Sequence, residues 1–139
     1  MESAVAELAP PRAAGLIIVV PDLLLRDRLA TYFLDKGFRV WAVPRGSEAD
    51  AICARHAGEV DAVLADIRLP DASPAELLDW LAGHAPTPPC CFLADRLLSS
   101  PALAARLRGA GVVPRTAHPA VIAEMVRDAT AGATPRDDD

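Results

Sequence analysis

Residues 63–71 of this chain read VLADIRLPD, and the predicted fold is built around this stretch. An apolar run ends in a single carboxylate, Asp66, and a Leu-Pro-Asp turn follows it. Short continuous apolar runs are typical of strands that are covered on both faces of a parallel sheet. Open α/β sheets bind ligands and carry out chemistry at the carboxyl ends of such strands. Asp66 is therefore the first candidate for a functional residue.

On either side of this stretch, short apolar runs alternate with amphipathic segments. We predict strands at residues 16–20, 38–43, 60–65, 89–93 and 112–115, and helices at 23–36, 47–58, 101–108 and 119–131, with a further helix opening at 73. Gly37 is the predicted stop of the first helix, Ser47 the cap of the second, and residues 73–76 form a capping box with proline at the first helical position. Five β-α units predict a doubly wound, five-stranded parallel sheet with five helices on its two faces.

Size and charge limit the class of protein. A length of 139 residues with 52% hydrophobic composition predicts one domain, over residues 15–131, between a flexible tail at 1–14 and an acidic tail at 132–139. A net charge of -5 with dispersed arginines argues against direct binding of nucleic acid. No apolar run is long enough to span a bilayer, and the first residues do not form a secretion signal. We therefore expect a cytoplasmic protein.

The three cysteines form no pattern of paired spacing, which fits a reducing compartment. Cys90 and Cys91 are adjacent in an apolar run, where we interpret them as small buried hydrophobic side chains. No cysteine lies at metal-ligand spacing from a histidine, so the sequence gives no support to a zinc site.

Several motifs, taken together, resemble the receiver domain of bacterial two-component response regulators. They are the order of the elements, the turn at 66–71, the spacing from Asp22 to Gly37, and the glycines of 109–111 before the last strand. The resemblance covers residues 15–131, without an output domain, and implies the flavodoxin-like strand order 2-1-3-4-5. It implies a signalling protein rather than an enzyme. It also implies that Asp66 accepts a phosphoryl group from a histidine, and that Asp66, Asp22 and the backbone carbonyl of Arg68 hold magnesium.

The chain departs from the family at several of these positions. Pro21 stands where one acid of a metal-binding pair is usual, which implies a weakened magnesium site. Ala94 stands where the family has a serine or threonine hydroxyl, and Val112 or Val113 where it has an aromatic switch residue. Arg115 replaces a lysine. It keeps the positive charge and could contact a phosphate, but its planar guanidinium differs in geometry from the compact ammonium group of lysine.

Two functional hypotheses follow. The first is a receiver-like module that docks onto a histidine kinase, a phosphotransfer protein or another regulator, with phosphorylation weak or dispensable. Its docking candidates are Leu23 and Leu24, which cannot both face inward with Leu25, and Trp80, which lies beside the apolar stripe of its helix. The second is a working magnesium-dependent phosphoacceptor at Asp66. An unrelated enzyme has no support, because the chain lacks a glycine-rich phosphate loop, a Ser-His-Asp signal and a Cys-X-X-Cys motif.

The residues leave several roles open. Asp22 is a metal ligand or a helix cap. Arg115 contacts a phosphate or forms an ordinary salt bridge. Ordinary partial burial explains Leu23, Leu24 and Trp80 as well as docking does. We interpret Asp71 and Asp95 as turn or surface residues. Pairing of two copies through the fourth and fifth helices, which some receivers show, is also left open.

Overall fold

Five strands form one parallel sheet in the order β2-β1-β3-β4-β5, as predicted. The computed structural model describes residues 13–95 and 110–133, with side chains described up to residue 130. The strands are β1 (Gly15–Val19), β2 (Arg39–Val43), β3 (Ala62–Asp66), β4 (Cys90–Ala94) and β5 (Gly111–Pro114). The helices of the described ranges are α1 (Leu23–Asp35), α2 (Gly46–Arg55), α3 (Pro74–Ala82) and α4 (Pro119–Ala133). The predicted helix at 101–108 and most of both predicted tails lie outside these ranges, and α4 continues past the predicted end at 131.

The sheet is covered on both faces because successive side chains of a strand point to opposite sides. Leu16 and Ile18 of β1 face a core that α1 and α4 close, whereas Ile17 and Val19 face a second core that α2 and α3 close. Every residue of β1, β3 and β4 is buried. The continuous apolar runs of the sequence are thus the three central strands of the sheet, and the more exposed β2 is an edge strand.

Local signals place most helix ends as predicted. The left-handed φ of 93° at Gly37 ends the turn after α1, a conformation that glycine adopts without strain. At the start of α3 the Ser73 hydroxyl accepts the N–H of Glu76 at 3.1 Å, and the Glu76 carboxylate accepts the N–H of Ser73 at 2.8 Å. The predicted capping box is therefore present.

The predicted cap of α2 is wrong. Ser47 lies inside the helix, and the residue at the N-cap position is Arg45, whose side chain makes no capping bond. The carboxylate of Asp71 caps the helix instead: one oxygen accepts the N–H of Gly46 and the other that of Ser47, both at 2.9 Å. The first N–H groups of a helix have no hydrogen-bond partner within the helix, and a hydroxyl at the N-cap often accepts from one of them. Here a carboxylate from the turn after β3 takes that role for two N–H groups. The helix also ends earlier than predicted, at Arg55.

The three cysteines are buried and unpaired, which confirms the interpretation of Cys90 and Cys91 as small buried side chains. Burial raises the pKa of Cys53 and of Cys91 to about 11 and also raises that of Cys90. Across the described ranges, no helix is both long enough and apolar enough to cross a membrane.

Candidate functional site

A groove of about 530 Å³ lies at the carboxyl ends of the strands. It brings together the four residues that the sequence predicts for the site: Asp22, Asp66, Arg68 and Arg115. Pro21, Leu25, Arg28 and Thr116 complete its lining. The groove forms here because β1, β3 and β5 are parallel and their carboxyl ends, with the loops that follow them, lie at one edge of the sheet.

Asp66 is the last residue of β3 and is the one buried charged residue in the described part of the chain, at 6% exposure. Its Oδ1 atom accepts the backbone N–H of Arg68 at 2.9 Å and the Nη2–H of Arg115 at 2.5 Å. Arg115 directly follows β5, and its own N–H donates to the carbonyl of Ala94 at 2.7 Å. Two donors, one of them a guanidinium, thus compensate the burial of the carboxylate.

A second carboxylate joins this pair into a ring. Nη1 of Arg115 pairs with Oδ1 of Asp95, and Oδ2 of Asp95 pairs with Nη2 of Arg68. Because the backbone N–H of Arg68 also binds Asp66, these contacts form a closed cycle of four residues. We call the cycle of Asp66, Arg115, Asp95 and Arg68 the Asp66 ring. It connects the ends of β3, β4 and β5. For Arg115, the salt bridge is the alternative that the structure shows, and contact with a phosphate stays a prediction.

Sequence reasoning missed the part that Asp95 plays, since we interpreted it as a turn or surface residue. A signal was present: Asp95 follows β4 and Arg115 follows β5, and the ends of neighbouring parallel strands lie side by side. Arg28 and Thr116 of the groove were also missed, because neither belongs to a motif.

Asp22 is the N-cap of α1: its Oδ2 accepts the N–H of Leu25 at 2.8 Å. The helix-cap alternative is therefore the one that the structure shows, and a metal role stays a prediction. The Nη1 atom of Arg26 donates to the carbonyls of Val20 and Pro21, at 2.8 and 3.2 Å. The chain's own side chains thus hold the loop between β1 and α1.

Several solved structures with this arrangement of elements are receiver domains. That of the response regulator NarL from Mycobacterium tuberculosis has a TM-score of 0.75 at 18% identity, covering 88% of this chain and 99% of its own. The activated N-terminal receiver domain of RstA from Klebsiella pneumoniae has a TM-score of 0.69 at 26% identity, covering 84% and 97%. A chain of the CheX-CheY-BeF3-Mg²⁺ complex from Borrelia burgdorferi has a TM-score of 0.72 at 18% identity, covering 83% and 87%.

The chain has the fold of a response-regulator receiver domain. No protein-family model matches the sequence, and no curated protein does either. The likeness therefore rests on the shared three-dimensional arrangement. The role of each side chain at the receiver site has to be argued from this chain's own geometry.

The residues of this receiver fold are a poor fit for magnesium. Within residues 13–95 and 110–133, no group of three or more histidine, cysteine, aspartate or glutamate residues could hold a metal ion. Oδ1 of Asp66 is bonded to a guanidinium and to an amide N–H, and one oxygen of Asp22 is bonded to an N–H in the first turn of α1. Magnesium requires near-octahedral oxygen coordination, and two carboxylates, each with one oxygen already hydrogen-bonded, supply only a small part of it.

The residues that the resemblance places at switch positions, Ala94, Val112 and Val113, have small apolar side chains. Ala94 is buried at the end of β4, Val113 is buried against the core that α1 and α4 close, and Val112 is partly buried against the opposite core. The hydroxyl that lines the groove belongs instead to Thr116, after β5. A contact made by Thr116 would therefore act on the loop after β5 rather than on the end of β4.

The predicted docking residues separate into two places. Leu23 is 57% exposed and Leu24 is 76% exposed, and both belong to the first turn of α1, next to the groove. Trp80 is half-buried in α3, packed against the core that α2 and α3 close, and a Cβ on Gly46 would lie 3.2 Å from its ring. Trp80 does not line the groove. The two leucines are the better candidates for contact with a partner.

Proposed function

We propose that this receiver-like domain is a signalling module of a bacterial two-component or phosphorelay pathway. It acts in the cytoplasm by docking onto a histidine kinase, a phosphotransfer protein or another regulator, and phosphorylation of Asp66 is weak or dispensable. One observation carries the proposal: the Arg115 guanidinium already binds the Asp66 carboxylate and reaches Asp95 from the same side chain. The strand ends are thus held together without any added group.

The Asp66 ring weakens Asp66 as a phosphoacceptor in two ways. A carboxylate attacks phosphorus through a free lone pair, and the two hydrogen bonds at Oδ1 withdraw electron density from the group that would attack. The incoming phosphoryl group also needs compensation of its charge, and Arg115 is already shared between two carboxylates. Transfer to Asp66 is therefore slow in this proposal.

A phosphoryl group would also change little after transfer. A ligand shifts a two-state equilibrium only through contacts that differ between the two states. The hydroxyl that would make such a contact is missing at Ala94, and a charge-assisted hydrogen bond of this kind contributes about 1.5–3 kcal/mol. Docking that depends on the surface rather than on the phosphoryl group needs no such contact.

The first experiment measures intact mass and Tm with magnesium and either beryllofluoride or a small phosphodonor. We expect no adduct, and no rise in Tm that depends on magnesium, in the wild type or in Asp66→Asn. An adduct that forms on the wild type and not on Asp66→Asn would support the alternative, a working phosphoacceptor. The position of Asp66 in the lining of an open groove is the observation that favours that alternative.

The second experiment tests docking through the first turn of α1. Leu23 and Leu34 are both 57% exposed, and they lie near opposite ends of the same helix. A kinase or phosphotransfer protein that the wild type retains in a pull-down should be lost with Leu23→Glu and kept with Leu34→Glu. Equal retention of the partner by both variants would place the contact elsewhere on the domain.

A further inference from the structure

The groove beside Asp66 contains more hydrogen-bond donors than acceptors. Each guanidinium of Arg28, Arg68 and Arg115 carries five N–H donors, and Thr116 adds a hydroxyl. The contacts of the Asp66 ring occupy one terminal nitrogen of Arg68 and two of Arg115. The charged acceptors in the lining are the carboxylates of Asp22 and Asp66, and one oxygen of each is already bonded. A ligand that brings its own oxygen acceptors matches this surface.

The groove favours an anion because one positive charge remains after its carboxylates are matched with the groups that compensate them. In the Asp66 ring, Arg68 and Arg115 balance Asp66 and Asp95, so the buried carboxylate is not a bare negative charge. The carboxylate of Asp22 is bonded to an N–H at the start of α1, where the partial positive charge of the helix compensates it. Arg28 remains: among the residues that the structure describes, no partner is found for its guanidinium.

We propose that this groove binds a small phosphate-type anion non-covalently and without magnesium, and that Arg28 is the side chain that decides its affinity. The inference deepens the proposed function, because a bound anion would act on the same site and beside the same docking residues. A guanidinium recognises phosphate oxygens through two parallel N–H bonds, and such charge-assisted bonds are about twice as strong as neutral ones. The free donors of Arg115 and the Thr116 hydroxyl complete the site.

The test is a titration of the full chain with inorganic phosphate in excess EDTA, at an ionic strength held constant with chloride. Binding is followed by Tm and by the arginine Nε–H signals in NMR spectra. We expect a rise in Tm of about 4 °C at a phosphate concentration ten times the Kd. Arg28→Gln should weaken binding by at least about tenfold, which is the loss of one charge-assisted contact. The unliganded Tm of each variant reports whether it folds.

Arg55→Gln is the matched control, because Arg55 is an exposed helical arginine in the last turn of α2 and does not line the groove. It should bind phosphate as the wild type does. A parallel titration with glycerol 3-phosphate separates two sources of the same chemistry. Tighter binding of glycerol 3-phosphate indicates a phosphate monoester, and tighter binding of inorganic phosphate indicates the free ion.

Three results would overturn the inference: no binding in EDTA, binding that appears only when magnesium is added, or equal weakening by Arg28→Gln and Arg55→Gln. The titration uses no partner and no phosphodonor. A negative result therefore leaves the docking proposal in place, and a failure of docking leaves anion binding in place.

Discussion

The Arg115 guanidinium and the Asp66 carboxylate form an ion pair with an Nη2–Oδ1 distance of 2.5 Å, at the point where β3 and β5 end on either side of β4. The Arg115 side chain is 20% exposed and that of Asp66 is 7% exposed, so the pair is largely shielded from water. A shielded pair is costly to break from one side, because the remaining charge stays buried without compensation. The first two predictions follow from this pair.

Arg115→Met should lower the free energy of unfolding by about 2–3 kcal/mol, somewhat less than for a fully buried pair because Arg115 is partly exposed. Adding Asp66→Asn should recover part of the loss, since the neutral amide needs no counter-charge. Urea denaturation of the two single variants and the double variant gives the coupling between the residues. Strictly additive effects would mean that the pair contributes nothing to stability.

Restoring the family's residues should restore a response to phosphoryl analogues. Ala94→Thr combined with Arg115→Lys supplies a hydroxyl at the end of β4 and a compact ammonium after β5. We expect beryllofluoride and magnesium to raise the Tm of this double variant more than that of the wild type. Ala94→Val with Arg115→Lys is the matched control, because valine has the shape of threonine without the hydroxyl. If the control responds as strongly, the hydroxyl is not the missing contact.

Asp71→Asn should destabilise the domain by about 1 kcal/mol near neutral pH, as loss of a helix cap does. Burial acts to raise the pKa of Asp71, but the N–H groups of Ser47 and Gly46 outweigh it, and the pKa is lowered below its ordinary value. A carboxyl whose pKa is lower in the folded state adds stability above its unfolded pKa and loses it as the pH falls through the folded value. The difference in unfolding free energy between the wild type and Asp71→Asn should therefore shrink below about pH 4. A constant difference from pH 7 to pH 3 would contradict the cap.

The cysteines should resist alkylation in the folded protein. Burial raises the pKa of Cys53 and Cys91 to about 11, so little thiolate exists at pH 8 and reagents have little access to it. Iodoacetamide followed by intact mass measurement should show no modification of these two residues in buffer and full modification in denaturant. Rapid labelling in buffer would mean that the core around β4 opens readily.

The sequence predicted the parts of this molecule that depend on neighbours in the chain. The apolar runs gave the three central strands, the Ser73 capping box gave the start of α3, and Gly37 gave the end of the turn after α1. The positions of Asp66 and Arg115 at strand ends placed both in one groove.

The errors and omissions involve partners that are distant in the sequence. The cap of α2 was assigned to Ser47, but the capping carboxylate of Asp71 comes from the turn after β3. The contact of Asp95 with Arg115 joins the ends of two different strands. Both partners are carboxylates in turns, where the sequence alone gives no reason to prefer a distant N–H or guanidinium over water.

Under the proposed function, the Asp66 ring implies that the amount of this protein in the cell regulates its signal. Four side chains of one polypeptide hold three strand ends, so under this proposal a folded copy needs no phosphoryl group to present its docking surface. The strength of its output would then be set by the number of copies in the cell. Control would pass from the enzymes that modify the protein to the rates of its synthesis and degradation.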